Sequence, residues 1–432
     1  MRSIRSARLL ALLLLGLAAC ESPSGSGGDD GPRLDWLRAN AVPFSTTAPG
    51  GSTADLAPLG QMIGGARIVG LGEATHGSRE FFEMKHRVVE HLVRERGFRA
   101  FAIEATWAEA TRINRYVHTG EGDPAVLLSH LYFWTWNTEE VLDLIRWMRA
   151  YNQAVPDDRR LSFYGFDVQY ARVAMNDVEA YLAGVDPAAA DSVRTHYGCY
   201  HRWEDRLGQA PPNYATAPAV TRDQCRIGVR AAHALLERRA GELAARSGRT
   251  AYEMALRSAR VVVQNEELRA SPGTYTATRD RYMAENVEWL ATVAHPGAGV
   301  VLWAHNAHVS RWAPFMGTHL TQRFGADYVP VGFSFYAGRF NAVRSGSALM
   351  ANDAPPATED SYEHQFERLG HARFMVDLRP LRGSSPPAGT AWLMGPRPFR
   401  MIGSGYRPGQ PDEGYSPRQL PVEYDIMIHL SQ

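Results

Sequence analysis

Lysine is nearly absent from this chain: among 46 basic residues, Lys85 is the one lysine and the rest are arginine. Cysteine is scarce, with 3 in 432 residues. That excludes a disulfide-built scaffold and a multi-cysteine zinc protein. Neither sign of charge is in excess, because 46 acidic residues balance the 46 basic ones. No basic face for nucleic acid is therefore expected. Beyond the first twenty residues, no apolar run is long enough for a membrane helix. Several nucleotide-binding and catalytic signatures are missing as well. The turn GLGEATHG at 70–77 lacks the Gly-Lys-Ser/Thr of a phosphate loop, and Thr75 stands where a dinucleotide fingerprint needs its last glycine. There is no Gly-x-Ser-x-Gly in the folded region and no His-Glu-x-x-His anywhere.

What is present begins with an address. Arg2, Arg5 and Arg8 precede a short apolar run at 9–17, followed by Ala18, Ala19 and Cys20. This reads as a secretory leader over 1–19 and resembles a bacterial lipobox, which implies cleavage before Cys20 and acylation of that residue. Residues 20–33, rich in Gly and Ser, read as a flexible tether to the envelope membrane. In such a compartment Cys199 and Cys225 are expected to form a disulfide, worth about 2–4 kcal/mol.

The fold class expected is α/β: a central, mostly parallel sheet flanked by helices, with a large helical insert at about 186–270 and a mixed β C-terminal part, all within 34–430. Four short apolar runs, at 66–72, 98–103, 161–166 and 299–304, have strand length and composition. The first two are separated by an amphipathic helix pattern over 81–96, which is β-α-β spacing and implies parallel strands. Residues 106–155, 170–184 and 226–295 read as helices. Later β-like runs lie at 328–335, 339–343, 373–378 and 422–430.

Each of the four core runs ends on an ionisable residue: Glu73, Glu104, Asp167 and His305. In open α/β sheets the ligand crevice lies beyond the carboxyl ends of the strands. Four such residues on one rim, with His76 and His308 each three positions along, point to a proton-transfer site. The same His and carboxylate spacings also suit zinc or iron, so a metal-dependent hydrolase stays open at this level. Lys85, nine residues after His76, offers a compact cation for an oxyanion or carboxylate. The aromatic run 132–136 and the 186–270 insert are candidates to line a wide apolar cleft.

The stretch IVGLGEATHGSREFFEMKHRVVEHLVRERGFRAFAIE at 68–104 resembles the erythromycin esterase family. So do LSFYGFD at 161–167, RDRYMAEN at 279–286 and WAHNAH at 303–308, in the same order. The resemblance implies a metal-independent ester or lactone hydrolase without a cofactor, in which His76 activates water. It places Glu73 and Glu104 as active-site acids, His305 and His308 as a second histidine pair, and Arg279 as the match to the arginine of the family's RDxxMAxN motif. Lys85 falls where characterised esterases carry arginine, a departure that removes the planar fork. The implied partner is a small-molecule ester or lactone, and macrolide cleavage is the family's known activity. A non-catalytic lipoprotein that binds haem through His76, His305 or His308 is the reading from a different class.

Overall fold

The apolar runs fold as expected, and so do most of the helices between them. The computed structural model describes residues 31–204, 212–344, 348–409 and 414–431. Residues 1–30, and with them the expected leader, Cys20 and most of the tether, lie outside the described residues. The strands in chain order are β1 (Val42–Pro43), β2 (Ile68–Leu71), β3 (Phe98–Thr106), β4 (Ser162–Asp167), β5 (Gly299–Trp303) and β6 (Tyr328–Phe335). They continue with β7 (Gly338–Arg344), β8 (Leu349–Ala354), β9 (Arg373–Asp377), β10 (Arg397–Arg400), β11 (Gly405–Tyr406), β12 (Tyr415–Arg418) and β13 (Ile426–Leu430).

Eight of these form one sheet, in the order β1-β9-β13-β6-β2-β5-β3-β4. The strands from β13 to β4 run parallel, and β9 and β1 close the other edge antiparallel. The first two core strands are parallel but not neighbours, because β5 pairs with both and lies between them. Strand β2 is buried along its whole length, as are β4 and β6, which is why these segments read as continuous apolar runs rather than as alternations.

One expectation is corrected at the C-terminal end. The run 422–430 is not one strand: residues up to Glu423 complete a helical turn begun at Leu420, and the strand starts at Ile426. The mixed β part divides among sheets: β6, β9 and β13 extend the main one, β7, β8 and β11 make a second, and β10 pairs with β12. Val422 is 47% exposed, so the Leu-Pro-Val apolar pattern there marks a packed turn with one side chain in solvent, not a strand.

The helix Arg79–Arg96 forms for the reasons its pattern implies. It buries Phe81, Phe82, Val88, Val89, Leu92 and Val93, and Gly97 ends it in the left-handed conformation at φ 69°. The insert is a bundle that includes helices Pro187–His201, Ala219–Arg238 and Arg249–Ala270. Cys199 and Cys225 are bonded across the first two of these. No helix among the described residues is long and apolar enough to cross a membrane.

Candidate functional site

The carboxyl ends of β2, β3, β4 and β5 do deliver Glu73, Glu104, Asp167 and His305 to one rim. The turn after β2 is tight because two of its glycines have no room for a side chain. A Cβ on Gly72 would lie 2.1 Å from the Asn306 Oδ1, and one on Gly77 would lie 1.9 Å from the Asn341 carbonyl oxygen. Those contacts press the turn against the segment after β5 and against the β7–β8 hairpin. The Asn306 amide donates to the Glu73 carbonyl at 2.9 Å, and the Asn341 amide to the Gly77 carbonyl at 3.0 Å.

Glu73 is fully buried and organises the first half of the site. Its Oε1 accepts from His76 Nδ1 at 2.6 Å. Its Oε2 accepts from Lys85 Nζ at 2.5 Å and from Trp303 Nε1 at 3.0 Å. An ionised carboxylate can only accept, so His76 carries a proton on Nδ1, and Nε2 is the ring nitrogen that Glu73 leaves free. Lys85 is also fully buried, 4.8 Å over the Trp303 ring, and does not line the cavity. It therefore acts on the site through Glu73, and not as a direct oxyanion ligand. Burial pushes the Lys85 ammonium down to about 8, with the Glu73 charge working against that shift.

Glu104 organises the second half. It lies in an irregularity of β3, between the paired residues Ile103 and Thr106, and a bulge there re-aims a side chain. Its Oε1 meets Arg279 Nη2 at 2.7 Å and His308 Nε2 at 3.2 Å, and its Oε2 accepts the His305 amide at 3.0 Å. Arg279 in turn holds Asp167 with two bonds, Nε to Oδ1 at 3.0 Å and Nη2 to Oδ2 at 2.7 Å. Asp280, the next residue on the same helix, accepts from His308 Nδ1 at 2.6 Å and from the Met316 amide at 2.8 Å.

These contacts split the histidines by charge. Burial would lower His308, but the Glu104 and Asp280 carboxylates override it and hold the ring up at about 10, so it is an imidazolium at neutral pH. Glu104 is held well below the usual carboxylate range: burial opposes this, but His308 and Arg279 prevail. His305 is driven well below the usual imidazole range by burial and by its two histidine neighbours. Its Nδ1 accepts the Ala307 amide at 3.2 Å, so its Nε2 carries the proton and donates to the Ile402 carbonyl at 3.2 Å. His305 is thus a neutral support whose ring lies 5.2 Å from that of His76.

His76, Glu104, Arg279, His305 and His308 line one cavity of about 450 Å³. Its apolar walls include Phe133, Trp136, Tyr275 and Phe315. The aromatic run therefore reaches the cleft as expected, but no described residue of the 186–270 insert lines it. Sequence reasoning placed Asp167 on the rim without a role and left two supporting residues out of the site. Asp280 was passed over beside Arg279, and the indole of Trp303 gave no polar signal in an apolar run. A metal or haem ligand needs a ring nitrogen free to coordinate. His305 has both nitrogens on the backbone, and His308 has Nδ1 on Asp280 and Nε2 3.2 Å from both Glu104 and Arg279, which leaves His76 Nε2. Among the described residues, no group of three or more His, Cys, Asp or Glu could hold a metal ion.

Comparison with known proteins agrees with this architecture. The type II erythromycin esterase of Escherichia coli is 26% identical over 341 residues, covering 72% of this chain and 78% of that one. A Bacillus cereus protein of solved structure is 28% identical with a TM-score of 0.81, covering 92% and 96% of the two chains. An erythromycin esterase mutant, EreC, in its open conformation shares the fold at 17% identity and a TM-score of 0.67, covering 90% and 96%. The family profile for erythromycin esterase matches residues 93–432, so Glu73, His76 and Lys85 precede the matched stretch. With most of its length matched in this way, the chain belongs to the erythromycin esterase family and is a hydrolase of the esterase type.

Proposed function

We propose that this chain hydrolyses carboxylic esters, including cyclic ones, with water activated by His76 and no metal ion in the reaction. The observation that carries the reading is the Glu73–His76 pair. Glu73 fixes the Nδ1 proton and leaves Nε2 as the base, on a residue that lines a cavity together with Arg279, His308 and Glu104. In the first step His76 Nε2 takes a proton from water as the oxygen attacks the ester carbonyl. Negative charge then grows on the carbonyl oxygen, and the His308 imidazolium and the Arg279 guanidinium are the cations lining the cavity. When the tetrahedral adduct collapses, the proton on His76 passes to the departing alkoxide. General-base catalysis of this kind contributes about 10²–10⁴-fold, and a preorganised oxyanion partner adds about 10²–10³-fold.

Purified protein assayed on simple aryl esters and on macrocyclic lactones should show turnover that survives exhaustive chelation. Activity abolished by a chelator and restored by zinc would overturn the metal-free mechanism in favour of a metallohydrolase. The Cys199–Cys225 bond supports placing this activity outside the cytoplasm, where the Cys20 anchor would hold it at the envelope membrane.

The charge state of His308 can be read separately. The Glu104 and Asp280 carboxylates face its two nitrogens and keep the ring protonated against burial. Asp280→Asn removes one carboxylate directly from Nδ1. The His308 titration midpoint, followed by NMR, should then fall from about 10 by at least one unit. The loss of turnover that follows neutralisation of His308 should move to lower pH by the same amount, because a neutral imidazole stabilises an oxyanion less well.

A further inference from the structure

A second cavity of about 580 Å³ opens on His76, and among the described residues His76 alone lines both it and the first. Its walls come from the start of the helix Arg79–Arg96, from residues 134–140, and from the β7–β8 hairpin. Both volumes fall within the size range of ligand-binding clefts. The nitrogen that activates water in the mechanism above thus sits on a residue shared by two chambers. A scissile carbonyl in front of His76 carries two substituents, the acyl chain and the alkoxy group, which diverge from the same carbon. One chamber can take each.

The chemistry of the two chambers differs. The first holds an imidazolium and a guanidinium gathered around the Glu104 carboxylate. The second is lined by Arg79, Arg339, Glu80 and Glu140, two charges of each sign, with Arg79 3.5 Å from Glu140. Beside them stand uncharged donors and acceptors, among them Asn137 and Asn341, next to Trp134. Such a surface rewards hydroxyls and amides over a flat apolar body, and it favours neither an anion nor a cation.

From this juxtaposition, and resting on the hydrolase reading, we propose that the second cavity is the subsite for one half of the ester, a neutral hydroxyl-bearing group. The preferred substrates are esters extended on both sides of the carbonyl. A small aryl acetate would leave one chamber to water.

The test uses Ala351→Trp, at an exposed position on the hairpin that lines this cavity. An indole there fills the second chamber, and aromatic residues suit strands. Two probes are compared: 4-nitrophenyl acetate, and the 6-O-(4-phenylbutanoyl) ester of methyl glucoside, which is long on both sides. The substitution should lower the ratio of kcat/KM for the glucoside ester to that for the acetate by at least tenfold. An unchanged ratio would overturn the proposal, as would turnover of the acetate alone by the wild-type protein. Leu349→Trp, at a position 45% exposed on the same rim, gives the second reading should the first variant fold poorly. If neither probe is hydrolysed, the hydrolase reading fails, and the subsite is then judged by calorimetric binding of the intact glucoside ester to the His76→Asn protein. Affinity weakened tenfold by Ala351→Trp supports the subsite, and equal affinity or no binding refutes it.

Discussion

His76→Asn is expected to lower kcat/KM for ester substrates by about 10²–10⁴-fold, the share that a positioned general base supplies. The asparagine amide can still donate to the Glu73 carboxylate, so the buried acceptor keeps a partner and the turn keeps its shape. It cannot take a proton from water at any pH where the protein is folded. The substitution therefore separates chemistry from folding. Thermal unfolding should stay close to the wild-type transition while turnover of an aryl ester disappears into background. His305→Asn should act differently, because that ring supports the site through the Ala307 amide and the Ile402 carbonyl and is neutral throughout. If the two variants lost activity equally with the fold intact, His76 would no longer be singled out as the base.

The rim was legible in the sequence because buried parallel strands are apolar along their length, so the first ionisable residue after each run marks the crevice end. Glu73, Glu104, Asp167 and His305 were found that way. The order of the strands was not legible: the β-α-β spacing of β2 and β3 says that they run parallel, but nothing local says that β5, some two hundred residues later, will pair between them. Side-chain roles were legible only in part. A lone lysine in an arginine-rich chain pointed to Lys85, but only packing shows that it reaches Glu73 and not the cavity. The bulge that aims Glu104 leaves no mark in the run FRAFAIEAT. The segment 401–403 has no strong pattern, yet Ile402 ties both histidine turns. Its amide donates to the Ala74 carbonyl at 2.6 Å, and its carbonyl accepts from His305. Contacts of that kind depend on backbone position, which composition does not encode.

Lys85 carries the largest expected effect on stability. Lys85→Met should cost about 3–5 kcal/mol, the usual penalty for removing one partner of a buried ion pair, because the fully buried Glu73 carboxylate loses its ammonium. Denaturant unfolding measures that loss, and the midpoint should fall with little change in slope. Activity should fall too, since Glu73 without its ammonium partner is no longer held in place to orient His76 as a base. The pH profile then distinguishes charge from packing. In the wild-type protein the ammonium is lost as pH rises through about 8, so kcat/KM should decline on that alkaline side. A guanidinium stays charged throughout the accessible range. Lys85→Arg should therefore shift the alkaline decline upward by at least one unit, toward the region near 10 where His308 gives up its proton. The bulkier fork must still fit a slot with no exposure beside Trp303, so some stability is lost to overpacking, about 1–3 kcal/mol. An alkaline limb that stays near 8 in Lys85→Arg would show that the Glu73 pair does not govern the base, and that Lys85 serves packing alone.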